Sequence, residues 1–181
     1  MTTFFTADTH FGDQKALEYT FEGVNPRARW TTLQEQENDI CDLWNKTVGP
    51  DDVVYHIGDV YNVQEPTSSN IVEQLNGHKI LIRGNLDTDS KENYLRYFDE
   101  VHNKRHVVDN MLLTHYYTTH EQIKKFNCTI NIHGHLHADC VQDPRYFNVS
   151  LERTDFVPIS LEDLKVQVKE NQLKYIKNIK F

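Results

Sequence analysis

The sequence predicts an α/β protein, with packed sheets and helices on the outside. Three observations carry that prediction. Short apolar runs recur, each closed by polar turn residues, as strands are. Helical patterns lie between these runs early in the chain, and strands dominate late. The length, 181 residues, suits one domain spanning 1–181 with a real core.

Taken in order, Thr3 to Ala7 reads as the first strand, and Gln14 to Thr20 as a short helix. The longest helix runs from about Thr32 to Thr47. Thr32 and Glu35 are spaced as a capping box, which satisfies backbone donors left open at a helix start. Leu33, Ile40, Leu43 and Trp44 form its apolar stripe, and Gly49-Pro50 ends it. A strand over Val53 to Ile57, a helix over Thr67 to Leu75, a strand over Lys79 to Ile82 and a helix over Lys91 to Tyr97 follow. Val107-Val108 and Met111 to Thr114 are the arms of a hairpin around Asp109-Asn110. His120 to Lys125 reads as helix, and Thr129 to Ile132 and Tyr146 to Val149 as strands. Ser160 with Asp163 caps a helix through about Val168, and Lys174 to Phe181 reads as an edge strand or a tail.

Composition narrows the function. The net charge is −8, from 19 basic and 27 acidic residues. Such a surface disfavours long nucleic acid and anionic membranes as partners. No apolar run approaches the roughly 18 residues of a membrane span. The N-terminus carries no basic segment ahead of its apolar residues, so no signal peptide is expected. Cys41, Cys128 and Cys140 are scattered and odd in number, which fits reduced thiols in a cytoplasmic protein. Ten histidines are many for this length, and imidazole is the commonest metal ligand.

Five short motifs fall at predicted strand ends: Asp8-Thr9-His10, Gly58-Asp59, Gly84-Asn85-Leu86-Asp87, Thr114-His115 and His133-Gly134-His135-Leu136-His137. Strands ending in Asp, Asn or His can gather those side chains at one sheet edge, and small neighbours let the backbone turn and approach closely. Nitrogen and oxygen donors without thiolate suit Mn, Fe, Zn, Co or Ni, and the imidazoles argue against Mg or Ca. Seven candidate ligands exceed one tetrahedral ion. They suit two ions that share a carboxylate, roughly 3.5–4 Å apart.

The motifs, in this order, resemble those of the calcineurin-like metallophosphoesterase superfamily, whose pattern is Asp-x-His, Gly-Asp, Gly-Asn-His-Asp or Glu, a His, and Gly-His-x-His. The segments around Phe4 to Gly12, Asp51 to Asp59 and Lys79 to Asn85 look like its small bacterial and phage members. The resemblance implies a four-layer α/β/β/α sandwich and two divalent ions, Mn favoured and Fe, Zn, Ni or Co as alternatives. Asp8, His10, Asp59 and His137 would hold one ion. Asp59, Asn85, His115 and His135 would hold the other. Asp59, Asn85 and His115 are thereby the expected catalytic core. The implied activity is hydrolysis of a small anionic phosphate ester, a phosphodiester or nucleotide more than a monoester, by a hydroxide bridging the ions. Two such ions against two aspartates and a hydroxide leave about one positive charge, a local attraction for phosphate in an acidic protein. A non-catalytic metal-binding scaffold or protein-interaction module on the same fold is the alternative.

One position departs from the pattern. Where the family has His after Gly-Asn, this chain has Leu86, which can neither donate a proton nor bond an oxyanion. Outside the motifs, Arg27 and Arg29 are candidate phosphate contacts, against a reading as unpartnered surface residues. His120 is a candidate cleft residue near His115. His56 reads as packing or support for the site. Strand alternation places His133 on the face of His135 and His137. Asp87 is expected either to orient a neighbour of the ions or to cap a turn.

Overall fold

The computed structural model describes residues 1–65 and 68–179, and its elements alternate as the apolar runs require. Among the described residues, nine strands are arranged in two sheets: β1 (Thr3–Thr6), β2 (Val53–His56), β3 (His78–Ile82), β4 (Glu100–His102), β5 (His106–Val108), β6 (Met111–Leu113), β7 (Ile130–His133), β8 (Tyr146–Asn148) and β9 (Ile159–Ser160). The helices among the described residues are α1 (Gln14–Leu17), α2 (Leu33–Thr47), α3 (Asn70–Glu73), α4 (Lys91–Tyr94), α5 (His120–Lys125) and α6 (Leu161–Ile179). None is long and apolar enough to cross a membrane.

The first sheet has the order β4-β3-β2-β1-β9 and the second β5-β6-β7-β8. β1, β2, β3 and β4 run parallel, with Phe5 opposite Tyr55 and Tyr55 opposite Ile80. β6, β7 and β8 are also parallel, with Leu113 opposite Ile132 and Ile132 opposite Phe147. Parallel strands deliver their C-terminal residues to one edge. This brings the five motifs together.

Side-chain alternation along the strands separates the cores. Phe4, Val54 and Leu81 join Ile40 and Trp44 of α2 and Tyr94 of α4 in one cluster. The next residues on the same strands, Phe5, Tyr55 and Ile82, join Met111, Leu113, Ile132 and Phe147 of the second sheet in another. Leu112, from the other face of β6, packs with Ile123 of α5 and Cys128.

α2 follows the sequence reading closely. Thr32 Oγ1 accepts from the Glu35 N–H at 3.2 Å, and Glu35 Oε2 accepts from the Thr32 N–H at 3.2 Å. Asp109 and Asn110 take positive φ at the hairpin turn, as expected for a two-residue connection between right-twisted strands. Other expectations are corrected. α1, α3 and α4 are single turns, shorter than their sequence patterns. Thr67, the expected start of α3, lies outside the described residues. β4 and β9, of three and two residues, have too little sequence to show a period. The last segment is neither strand nor tail as far as Ile179: it continues α6, whose preceding stretch 162–174 is rich in the helix formers Lys, Glu, Gln and Leu. Lys180 and Phe181 lie outside the described residues.

Candidate metal centre

Three of the five motifs leave their strands through turns that few residues adopt. Asp8, His10, Asp59, His135 and His137 all have φ between 49° and 68°, in the left-handed region. Asp and His tolerate this region better than most residues, but each such position costs of order 1–3 kcal/mol. The turns swing the side chains back over the sheet edges. Gly134 is required by the same crowding. A Cβ there would lie 2.6 Å from Asp8 Oδ2, so only glycine lets the β7 loop pass that carboxylate.

The result is two groups of ligand atoms. Asp8, His10 and His137 form one, and Asp59, His115 and His135 the other, with one atom from each member within 4.8 Å of its fellows. Asp59 faces both, since its Oδ2 lies 3.3 Å from His115 Nε2 and 3.9 Å from His10 Nε2. Asn85 adds its Oδ1, 3.0 Å from His115 Nε2. All seven motif residues are therefore brought to one place.

Surrounding groups fix which imidazole nitrogen is free. His115 Nδ1 donates to the Ile57 carbonyl at 2.8 Å. His137 Nδ1 lies 3.0 Å from Glu152 Oε1, and His10 Nδ1 lies 3.5 Å from Asp13 Oδ2. Holding Nδ1–H on an acceptor turns Nε2 inward as the ligand atom and raises its basicity. Asp8 is oriented in the same way. Its Oδ2 accepts from Ser150 Oγ at 2.7 Å and from the His135 N–H at 2.9 Å. Its Oδ1 and His10 Nε2 are buried and have no hydrogen-bond partner among the described residues. Buried polar atoms left so are costly. Two unpartnered lone-pair atoms, 3.7 Å apart, fit a cation between them.

The electrostatics agree. Burial alone would raise the Asp8 pKa, but the His10 contact and the charges of His115 and His137 hold it well below the usual carboxylate range. Burial would lower His10, yet Asp13 and Asp8 push it up to about 9. His115 is raised against burial by Asp59 and Asp8. Without a cation, the neighbouring carboxylates favour protons on His10 and His115. A divalent ion would displace them.

The candidate substrate contacts are placed differently. Arg27 is fully buried. Its Nε donates to Glu152 Oε1 at 2.8 Å and its terminal nitrogens to the Asp8 and Thr9 carbonyls at 2.7 and 3.4 Å. It ties the first motif to Glu152 and is turned away from solvent phosphate. Arg29 is exposed, pairs with Asp39 at 3.3 Å and stacks on Trp30. His120 sits 3.5 Å from Asp143 Oδ2 beside Tyr146, and not among the ligands. His133 ends β7, whereas His135 and His137 lie in the turns beyond it, so strand alternation does not link them. Its ring faces Tyr117 and Tyr146. His56 packs on Trp44 and Phe98 and contacts Thr9 Oγ1, and burial holds it down at about 3. Asp87 accepts from the N–H groups of Asp59, Val60 and Gly84 at 2.7–3.0 Å, clamping two ligand turns together.

Glu152, Ser150 and Asp13 support the ligands and escape the sequence reading. Asp13 stands three residues after His10 and was legible as spacing. Ser150 and Glu152 follow β8 and reach the site only because Ala7 pairs with Ser150 across the two sheets, a contact no local pattern announces.

No family model matches the chain. An uncharacterized protein of Methanocaldococcus jannaschii is 27% identical over 177 residues, covering 92% of this chain and 90% of that protein. The crystal structure of a protein of unknown function from Aquifex aeolicus superposes with a TM-score of 0.72 at 29% identity, covering 92% of this chain and 98% of that one. A nuclease, MPE of Pseudomonas putida, gives a TM-score of 0.49 at 18% identity over 75% of this chain and 60% of its own.

Proposed function

We propose that the chain is a dinuclear metal-dependent phosphoesterase of the calcineurin-like superfamily, acting on a small anionic phosphodiester or nucleotide. The observation that carries this is Asp59, one carboxylate facing two complementary ligand groups. In the proposed assignment, Asp8, His10, Asp59 and His137 hold one ion and Asp59, Asn85, His115 and His135 the other. Two parallel-rich sheets that share an apolar core, with helices packed on their other faces, support the four-layer reading. Bound there, two ions, Mn by preference, would supply Lewis acidity toward phosphoryl oxygens and would acidify a water.

The chain's own residues do the positioning. Ile57, Glu152 and Asp13 hold the imidazoles with Nε2 inward. Ser150 and the His135 amide hold Asp8. Asp87 keeps the Asp59 and Asn85 turns in register. Leu86 donates its N–H to Asp59 Oδ1 at 2.9 Å but offers no side-chain proton, so the leaving group departs without general acid help from that position.

The test is elemental analysis after loading with Mn, together with turnover of an aryl phosphodiester. Two ions per chain and metal-dependent turnover are expected. Two ions with no turnover on diesters, nucleotides or monoesters would favour the scaffold reading, for which Leu86 is the one point in favour. No bound metal would overturn both.

A further inference from the structure

Two exposed apolar side chains flank the Asp59–Asn85–His115–His135 group. Leu86 is 45% exposed and adjoins Asn85, its amide bound to Asp59. Tyr116 is 51% exposed, with its ring 4.2 Å from the His135 ring and 5.3 Å from that of His115. Among the described residues, the other group has no such exposed aromatic neighbour. Its aromatic neighbour, Tyr19, is half-buried against His137 at 4.7 Å.

Tyr116 is exposed but held in place. The buried Asn131 of β7 accepts from the Thr118 N–H at 2.9 Å and donates through Nδ2 to Thr114 Oγ1 at 2.8 Å. Thr114 Oγ1 in turn donates to the Tyr116 carbonyl at 2.7 Å. The 114–118 loop is thus clamped from beneath by one side chain. With the backbone held this way, only the side-chain torsions of Tyr116 remain to be ordered on binding, which lowers its entropic cost. Folding alone gives no reason to hold a tyrosine half in water over a metal ligand, and aromatic faces are what flat bases and aryl groups stack on.

We infer that Tyr116, together with the exposed Leu86 next to Asn85, forms a subsite for a flat aromatic ring on the phosphate ester, and that the ring is a nucleobase. Tyr116 is therefore a specificity-determining residue, and the substrate class narrows from phosphate esters to nucleotides. This rests on the phosphoesterase reading. It also explains the place of Leu86. An apolar side chain at that position would add hydrophobic surface beside the ring, where an imidazole would compete for hydrogen bonds.

The experiment is calorimetric titration of the Mn-loaded protein with adenosine 5′-monophosphate, phenyl phosphate, ribose 5-phosphate and inorganic phosphate. The nucleotide is expected to bind about tenfold or more tightly than ribose 5-phosphate, the usual scale of one base stacked on one aromatic side chain. Tyr116→Ala should erase that ratio while leaving the metal content and inorganic phosphate affinity unchanged. Tyr116→Phe should keep it. Equal binding of nucleotide and ribose 5-phosphate by the wild type overturns the inference and leaves the phosphoesterase reading standing. So does loss of the ratio in Tyr116→Phe, which would assign recognition to the hydroxyl. Preference for phenyl phosphate over the nucleotide would overturn the nucleobase assignment. Failure of all four compounds to bind would overturn the phosphoesterase reading and this inference with it.

Discussion

Asp59 does more than any other single residue at the centre, since it faces both ligand groups and also caps the Leu86 amide. Asp59→Asn keeps the volume and removes the charge. It should leave one tightly bound ion in place of two and abolish most turnover, and elemental analysis beside a diester assay would show both. Glu152 acts one step removed, through His137 and Arg27. Glu152→Gln should weaken Mn binding by about 10–100-fold, the usual cost of losing such an outer partner, and a competitive metal titration measures it. Leu86 makes an opposite prediction. General acid catalysis is worth about 10²–10⁴-fold, so the wild type should favour leaving groups that need no proton. Leu86→His should raise kcat/KM most for alkyl leaving groups, and a plot of rate against leaving-group pKa for both proteins decides it. An equally shallow slope in the wild type would mean that another residue supplies the proton.

At the scale of elements, the helices and the ligand turns differ in how they read from sequence. The α2 capping box and its buried Ile40 and Trp44 follow from local spacing, because helix chemistry acts over three and four residues. Trp44 is fully buried and donates to the Asn76 carbonyl at 3.0 Å. Trp44→Ala should cost about 3–5 kcal/mol in a denaturant titration without changing metal stoichiometry. The seven candidate ligands were named from their motifs, but not the geometry that gathers them. Strand alternation suggested that His133, His135 and His137 share a face, whereas the chain leaves β7 and reaches the site through two left-handed turns. Arg27 was legible as a residue for phosphate only because its partner Glu152 lies 125 positions away. Supporting contacts of that range come from the pairing of two sheets, which no window of sequence contains. The Gly134 turn offers a test of this geometry. Gly134→Ala should displace Asp8 and Ala7 and lower metal affinity while the far-ultraviolet spectrum stays near that of the wild type, since both clashes lie just beyond the end of β1 and not within its ladder.

Over the whole molecule, burying these charges ties stability to pH and metal. Asp8 and Glu152 are held low, so their contribution is present above the ordinary carboxylate pKa and is lost as pH falls through their lowered values. His10 is held high, at about 9 against an ordinary 6.5. Its contribution to the metal-free fold is therefore fully present below 6.5 and is lost as pH rises through 9. The metal-free protein should accordingly soften on the alkaline side, where His10 gives up its proton and Asp8 loses a positive neighbour. A divalent ion acts in the opposite sense. It must displace the protons of His10 and His115 to bind, so its affinity grows as those groups deprotonate. Ligand that binds only the folded chain stabilises it in proportion to the logarithm of its concentration over its dissociation constant. The rise in Tm on adding Mn should thus be small near pH 6 and increase steadily toward pH 9, and activity should climb over the same interval. Thermal melts with and without Mn across that range test the coupling. A metal-induced rise that does not change with pH would mean that these histidines are not the groups the ion displaces.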